Sequence, residues 1–547
     1  MTQQMIRPGD PLSMLNRSRR ERDRNRLVSG TSVDVLVVGG GVTGVGVALD
    51  AATRGLSVAL VEAHDFAFGT SRWSSKMVHG GLRYLAKGDV GVAWESATER
   101  AVIGKTIAPY LVHPFAQLIP IFDTTESKNS VTTRLGMHAG DFLRRASRLP
   151  SASLPRPTRI SAEEALALVP ALPREGLIGA DVGWDFQLED DARFVVAIAR
   201  TAAAYGASLL TATRAEHIDA GGADVLDEAD GLRYRINAKN VINATGVWAG
   251  TLDPGVELTP SRGTHVIVRA ERLGNPSASL TIPVPGSFGR FVFAVPQFNG
   301  LVYIGLTDVA ADGPIPDIPE PDDDEVEWIL DVISRGLAHP LTREDVVGTY
   351  SGLRPLARAP RSDAASAEAG PSAEATSADS ASDENTADIS RRHLITGCRG
   401  KVITITGGKL TTYRRMAQDA VDLISDRPCV TTLTPLVGVG PMPTDPNLPA
   451  RLARRFGSEA ALVASLADDD PHLLEPISTA APTDVLGVEI LWAQLAEGAL
   501  TYDDIVSRRT RISLVPADER ALRSAIEPLV AEQLHDLPVS EASYSGG

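Results

Sequence analysis

Two hydrophobic periods alternate along this chain, and the first to emerge is that of a strand. Val33, Val35, Leu36, Val37 and Val38 make an apolar run of strand length that breaks into Gly39-Gly40-Gly41. A helical segment continues to a turn at Gly55, and a second apolar strand, Ser57 to Val61, ends in Glu62. Further strands are expected at Leu209-Leu210, at Arg214 to Ile218, and at Asn240 to Ala244, which runs into Thr245-Gly246. Gly263 to Val268, Arg290 to Val295 and Leu301 to Leu306 read as strands of a second, antiparallel sheet. Val326, Ile329, Leu330 and Ile333 fall at helical spacing and face a core, with the helix stopping near Pro340. Beyond 431 a proline-punctuated linker gives way to helical periodicity over Leu448 to Leu466, Val485 to Leu500 and Ala517 to His535.

These elements describe an α/β plus α+β chain. A discontinuous nucleotide-binding domain is expected over 31–110, 175–258 and 345–430, and a substrate-binding domain on the antiparallel sheet over 111–174 and 259–344. A C-terminal helical domain takes 431–547. Residues 361–390 are almost all Ala, Ser, Asp, Glu, Gly and Thr with no aromatic side chain. Such a segment buries too little apolar surface to offset its ordering entropy, so a disordered surface insertion is expected. Positions 1–30 carry a basic run, Arg17 to Arg26, without an apolar core, and are read as a disordered basic tail rather than a secretory signal. A weak contact of that run with anionic lipid is the alternative.

Composition narrows the classes. At 547 residues, 43% hydrophobic and 22% charged, the chain has the makeup of a large globular enzyme. A net charge of −16 opposes a nucleic-acid partner. The two cysteines, Cys398 and Cys429, have no metal-like spacing, which excludes a disulfide framework and fits a reducing compartment. No metal is expected. No uninterrupted apolar stretch approaches the length of a membrane span, roughly 18 residues at the least.

The chemistry starts at the first glycine cluster. Gly39, Gly41 and Gly44 complete GxGxxG, and Ala48 extends it. Gly39 allows the tight turn, Gly41 lets amides approach a pyrophosphate, and Gly44 lets the helix pack on the strand. Glu62 closes the second strand, at the separation from Gly44 where an acid accepts hydrogen bonds from an adenosine ribose. FAD or NAD binding follows. Glu62 suits either cofactor, whereas the Ala244-Thr245-Gly246 strand end and the later glycine pair favour FAD.

Next, FGTSRWSSKMVHGGLRYL (68–85) packs Thr70, Ser71, Ser74 and Ser75 beside a glycine pair and Arg83-Tyr84. Its hydroxyls suit cofactor phosphates or the flavin edge, and Arg83 and Tyr84 suit an anion. His265 stands at a strand start, although a lone histidine is more often structural than catalytic. Arg354 precedes a proline, Arg391 follows the insertion, and Gly407-Gly408-Lys409 separates a β-rich stretch from a helix.

Together GGGVTGVGVALDAATRGLSVALVEAHD, SSKMVHGGLRYL, RGTHVIV, IGLTDV, YSGLRPL, GGKLTTYR and LTYDDIVSRRTR resemble the FAD-dependent, quinone-linked glycerol-3-phosphate dehydrogenase family over about residues 30–520. The resemblance implies a glutathione-reductase-type FAD domain, an antiparallel-sheet substrate domain and a helical C-terminal domain. It implies oxidation of sn-glycerol 3-phosphate to dihydroxyacetone phosphate, with electrons passing from FAD to a membrane quinone. It places Thr70, Ser71, Ser75, Gly246, Gly408 and Leu410 at the cofactor with Gly39, Gly41, Gly44 and Glu62. Arg83, Tyr84, Arg391 and Lys409 would hold the phosphate, with Arg392 an alternative to Arg391. His265 and Arg354 would sit at the C2 hydroxyl; a neutral imidazole suits the base and a high-pKa guanidinium the oxyanion, with the choice of which handles the proton left open. A cytoplasmic protein attached peripherally to the inner membrane is also implied, with a homodimer left open. The competing reading is a glycerol-3-phosphate oxidase that reduces oxygen.

Overall fold

A computed structural model describes residues 5–81, 89–123, 127–287, 289–311, 313–357 and 393–531. Its first sheet has six strands in the order His393–Thr396, Ile403–Gly407, Val241–Asn243, Val35–Val38, Val58–Val61, Ser208–Leu210. All neighbours run parallel except the His393–Thr396 edge. The continuous apolar run of Val35–Val38 is explained by burial on both faces, as parallel strands require. Val35 and Val37 pack into a helical layer, where helix Val42–Thr53 meets helices Asp191–Ala204 and Tyr413–Asp422. Leu36 and Val38 face the opposite side, against a three-stranded antiparallel meander (Thr213–Asp219, Gly222–Asp227, Arg233–Asn237) and Leu27.

Leu27 belongs to the stretch expected as a disordered tail, and here the structure differs. Arg17–Val28 is an α-helix capped by the Asn16 side chain, which accepts from the Arg19 amide. Its arginines bind the protein itself. Arg19 donates to the carbonyls of Ala203 and Ala207, Arg20 to that of Thr211 and to Asp227, and Arg26 to Ser208. The acceptors lie between 182 and 207 positions away in sequence, so local composition carries no trace of them.

The second sheet has ten strands among the described residues. Leu258–Arg269 pairs along its length with Val346–Ala357, and the order continues through Leu301–Gly305, Phe291–Pro296, Ser279–Pro283, Val112–Phe122 and Leu177–Leu188 to Met77–Val78. It is antiparallel as expected, save for the parallel junction of Ser279–Pro283 with Val112–Phe122. Helix Asp323–Ser334 covers one face with Val326, Ile329, Leu330 and Ile333, ending at Ser334 rather than near Pro340. Leu177–Leu188 and Val346–Ala357, assigned from the sequence to the nucleotide domain, are strands of this sheet, because their partners are chosen by long-range register.

The C-terminal region is helical. Leu448 to Leu466 is divided at Gly457 into Ala450–Phe456 and Ala460–Ala464, which pack on the fully buried Trp492 of Gly487–Ala496, while Pro516–Ala531 packs on that helix through Leu522 and Ile526. The 361–390 insertion lies outside the described residues.

Candidate active site

A cavity of about 1410 Å³ runs from the glycine turn of the parallel sheet to the face of the ten-stranded sheet. It exceeds the roughly 300–1,000 Å³ of common small-ligand pockets. At the nucleotide end, a Cβ on Gly44 would collide with the Gly39 carbonyl oxygen, so the helix sits on the turn without room for a side chain. Gly41 caps helix Val42–Thr53 and lines the cavity, leaving amides of the helix start directed at it. The Val42 amide donates to Ser71 Oγ at 2.9 Å. Glu62 accepts from the Gly40 and His64 amides at 2.6 and 2.8 Å. Burial pushes its carboxyl upward while those two amides pull it back.

The other cofactor positions lie on the same wall. Thr70 lines it and donates to the Leu353 carbonyl at 2.6 Å, tying its loop to strand Val346–Ala357. Gly246 has φ +63°, a conformation that disfavours other residues, and a Cβ there would meet only open space. Gly408 and Leu410 line the cavity too, after strand Ile403–Gly407. A helix start, a ribose-distance acid and bare glycine backbone form a donor set that fits a dinucleotide such as FAD.

Arg354, on the ten-stranded sheet, and Lys409, between Gly408 and Leu410, both line the cavity. Arg354 lies across Gly263, where a Cβ would collide with its guanidinium. Its fork is held by Asp308 Oδ1 at 3.2 Å, Ser261 Oγ at 3.3 Å and the Thr307 carbonyl at 3.1 Å. Behind this, Glu325 receives the hydroxyls of Thr307 and Thr264, so the strands carrying Arg354's partners are pinned in the core. Lys409 Nζ donates to Ser96 Oγ at 3.1 Å.

His265 is placed differently from the sequence expectation. It is 2% exposed and set back from the cavity wall, because Gly305 and Tyr350 flank it in the sheet and its ring stacks on Tyr350 at 4.5 Å. Its Nε2 lies 3.0 Å from Ser75 Oγ, and Ser75 does line the cavity. His265 Nδ1 is buried with no hydrogen-bond partner among the described residues. A buried N–H without an acceptor is the rarer defect, which assigns the proton to Nε2 and leaves the Ser75 hydroxyl hydrogen able to point into the cavity. Burial above all, then Lys76 and Arg354, holds His265 well below the ordinary histidine range, so it is neutral.

Two imidazoles line the wall, His64 beside Glu62, and His79, which comes from the same SSKMVHGGLRYL run but is not marked out by the sequence. The next residue's amide, Gly80 N, donates to Asp185 at 3.0 Å, and Asp185 is paired with Arg100 beneath that glycine. Asp308, which anchors Arg354, is likewise not singled out by the sequence, although it stands in the IGLTDV motif. Arg83, Tyr84, Arg391 and Arg392 lie outside the described residues.

The family model for FAD dependent oxidoreductases matches residues 34–414, and that for the C-terminal domain of alpha-glycerophosphate oxidase matches 398–536. Glycerol-3-phosphate dehydrogenase 1 of Mycobacterium bovis is 44% identical over 525 residues, 94% of this chain and 98% of its own. The FAD complex of glycerol-3-phosphate dehydrogenase from Bacillus halodurans superposes with a TM-score of 0.68 at 26% identity, covering 95% of both chains. L-alpha-glycerophosphate oxidase of Mycoplasma pneumoniae, at 18% identity and a TM-score of 0.52 over 72% of this chain and 95% of its own, shares the fold. With its cofactor turn, its cation-lined cavity and its relatives in agreement, the chain belongs to the FAD-dependent glycerol-3-phosphate dehydrogenase family.

Proposed function

We propose that this chain oxidises sn-glycerol 3-phosphate to dihydroxyacetone phosphate and passes the electrons to a membrane quinone. The observation that carries this reading is the convergence of Arg354, Lys409 and His79 with the glycine turns on one cavity. FAD, when bound, supplies flavin N5 as the acceptor for hydride from C2. Lys409 holds the phosphate as a point charge, and the family resemblance adds Arg83, Tyr84 and Arg391. Arg354, anchored by Asp308, aims its planar fork at the C2 oxygen and stabilises its growing negative charge. His79 takes the hydroxyl proton. His265 acts one step back, fixing the Ser75 hydroxyl as a donor to the substrate. Fixed orientation of the phosphate is what directs the C2 hydrogen at its acceptor.

The dehydrogenase names of the relatives favour an acceptor other than oxygen, and the family resemblance makes that acceptor a quinone. Among the described residues no helix is long and apolar enough to cross a membrane, so contact with a quinone pool is peripheral in this reading. The test is anaerobic mixing of the purified flavoprotein with sn-glycerol 3-phosphate, followed by a quinone analogue or by oxygen. Bleaching that recovers fast with quinone and slowly with oxygen supports the proposal. Fast recovery in oxygen with peroxide formed makes the enzyme an oxidase. A flavin that never bleaches removes the substrate assignment.

A further inference from the structure

Arg511 closes the C-terminal signature stretch, and its side chain reaches out of the helical domain to the segment that carries Ser71 and Ser75. It follows a π-helical turn, Ile505–Arg509, and has φ +67°, an uncommon conformation for a residue with a side chain. The turn is secured separately, since Arg508 and Arg509 both bind the buried Asp65. Arg511 Nη1 also donates to the Ser507 carbonyl of the turn at 2.9 Å, and the rest of its fork is left for a different target. Its Nη2 donates to the Arg72 carbonyl at 2.6 Å, and its Nε lies 3.3 Å from Asp190.

The Arg72 carbonyl has a second donor. Lys76 Nζ reaches it at 2.9 Å and pairs with Asp191 at 2.8 Å. Lys76 itself has φ +57° and is 1% exposed, so the chain turns sharply there and folds its ammonium inward. Asp191 also accepts from the amide and hydroxyl of Ser74, and the Ser74 carbonyl accepts from the Tyr350 hydroxyl. Ser74 and Lys76 thus both commit their polar groups to Asp191. Ser75, between them, carries its hydroxyl to the cavity wall and to His265 instead. Arg511 stands behind this knot, over the Trp73 ring and within 3.9 Å of Asp191 as well.

We infer that Arg511 is a positioning residue for the oxidation: through the Arg72 carbonyl and the Asp190–Asp191 pair it fixes the bend at Lys76 that presents Ser75 to the substrate. The role rests on the reading of Ser75 as a substrate donor. It also gives the C-terminal domain a part in the chemistry, since one of its side chains sets an active-site backbone.

Arg511→Lys in the full-length flavoprotein tests this. Lysine keeps a positive charge opposite Asp190 and Asp191 but cannot reproduce the fork that also reaches Arg72. Two quantities are read: kcat and KM with sn-glycerol 3-phosphate, and amide hydrogen exchange of the substrate-free holoenzyme. The expected result is a fall in kcat on the order of 10²-fold, as for small misplacements of a substrate contact. KM changes little, FAD stays bound, and faster exchange is confined to residues 72–78. Turnover at the wild-type level overturns the inference. So does lost turnover with exchange raised equally across helices Gly487–Ala496 and Pro516–Ala531, the mark of a purely structural residue. If Arg511→Lys does not fold, the charge-balanced pair Arg511→Ala with Asp190→Asn is judged by the same two results. Exchange is read without substrate, so a wrong substrate assignment would leave the outcome for the bend intact.

Discussion

Ser75 lines the cavity and His265 does not, although Ser75 Oγ and His265 Nε2 are only 3.0 Å apart. In the proposed reading this histidine orients a hydroxyl and the proton is taken by His79. The ranking of variants should show it. His79→Asn should lose about 10²–10⁴-fold in kcat, the usual contribution of a general base. Ser75→Ala and His265→Asn should each lose less. Their double variant should lose no more than the worse single one, since one interaction is removed twice. Steady-state kinetics on proteins with equal flavin content check this, and a His265→Asn loss as large as that of His79→Asn would reinstate His265 as the base.

The same histidine gives a pH signature in stability. Burial, Lys76 and Arg354 depress its folded-state pKa, so the native state keeps it neutral where the unfolded chain would protonate it. The unfolded form binds the extra proton below its own pKa of about 6.5. Stability from this group is therefore fully present above that pH and is lost as pH falls from there through the lower folded-state value. Thermal unfolding of wild type against His265→Asn should diverge in slope only on this acid side. Parallel curves from pH 7 down to pH 5 would show that His265 is not held neutral.

Arg354 and Lys409 should separate in kinetics. Arg354 is locked by Asp308, Ser261 and Thr307, which suits a group that acts only at one oxygen as charge develops. Arg354→Lys should lower kcat by about 10²-fold, comparable to losing one oxyanion donor. Lys409 carries a compact ammonium on a long flexible stem, steadied by Ser96, as befits a phosphate contact. Lys409→Met should raise KM by roughly 10–100-fold, from a charged hydrogen bond of about 1.5–3 kcal/mol. Inhibition by inorganic phosphate should weaken in parallel. Equal effects of both variants on kcat and KM would contradict separate roles.

Legibility in the sequence follows the range of the interactions. The nucleotide turn is readable because its parts are consecutive: strand, Gly39 to Gly44, helix and second strand all fall between Val33 and Glu62. The helix through Ile329 and Ile333 is readable for the same reason. By contrast, Val346–Ala357 owes its sheet to Leu258–Arg269, far earlier in the chain, and no local period reports a partner. His265 is put at the C2 hydroxyl by the family resemblance, since its position at a strand start says nothing of how exposed the ring is. Only the register, with Gly305 on one side and Tyr350 on the other, shows that the ring is enclosed. His79 is hidden by its neighbours, a run so rich in polar groups that no single one stands out.

The N-terminal helix supplies a sharper case, because there the sequence suggests the opposite state. Asp227 is fully buried and its charge is met by Arg20 at 2.9 Å and Arg24 at 3.3 Å, both from this helix. Leu27 fills the layer beneath the parallel sheet. Deleting the chain through Gly30 would leave Asp227 without either cation and remove Leu27 from its layer with Leu36 and Val38, the lost Leu27 packing alone costing roughly 2–5 kcal/mol. A disordered tail would cost nothing on removal. The deletion should therefore lower the midpoint of denaturant unfolding, and adding Asp227→Asn should restore part of the loss by removing the stranded charge. An unchanged midpoint after deletion would return the segment to the status of a tail. A lowered midpoint that Asp227→Asn does not relieve would assign the loss to Leu27 packing instead of the ion pairs.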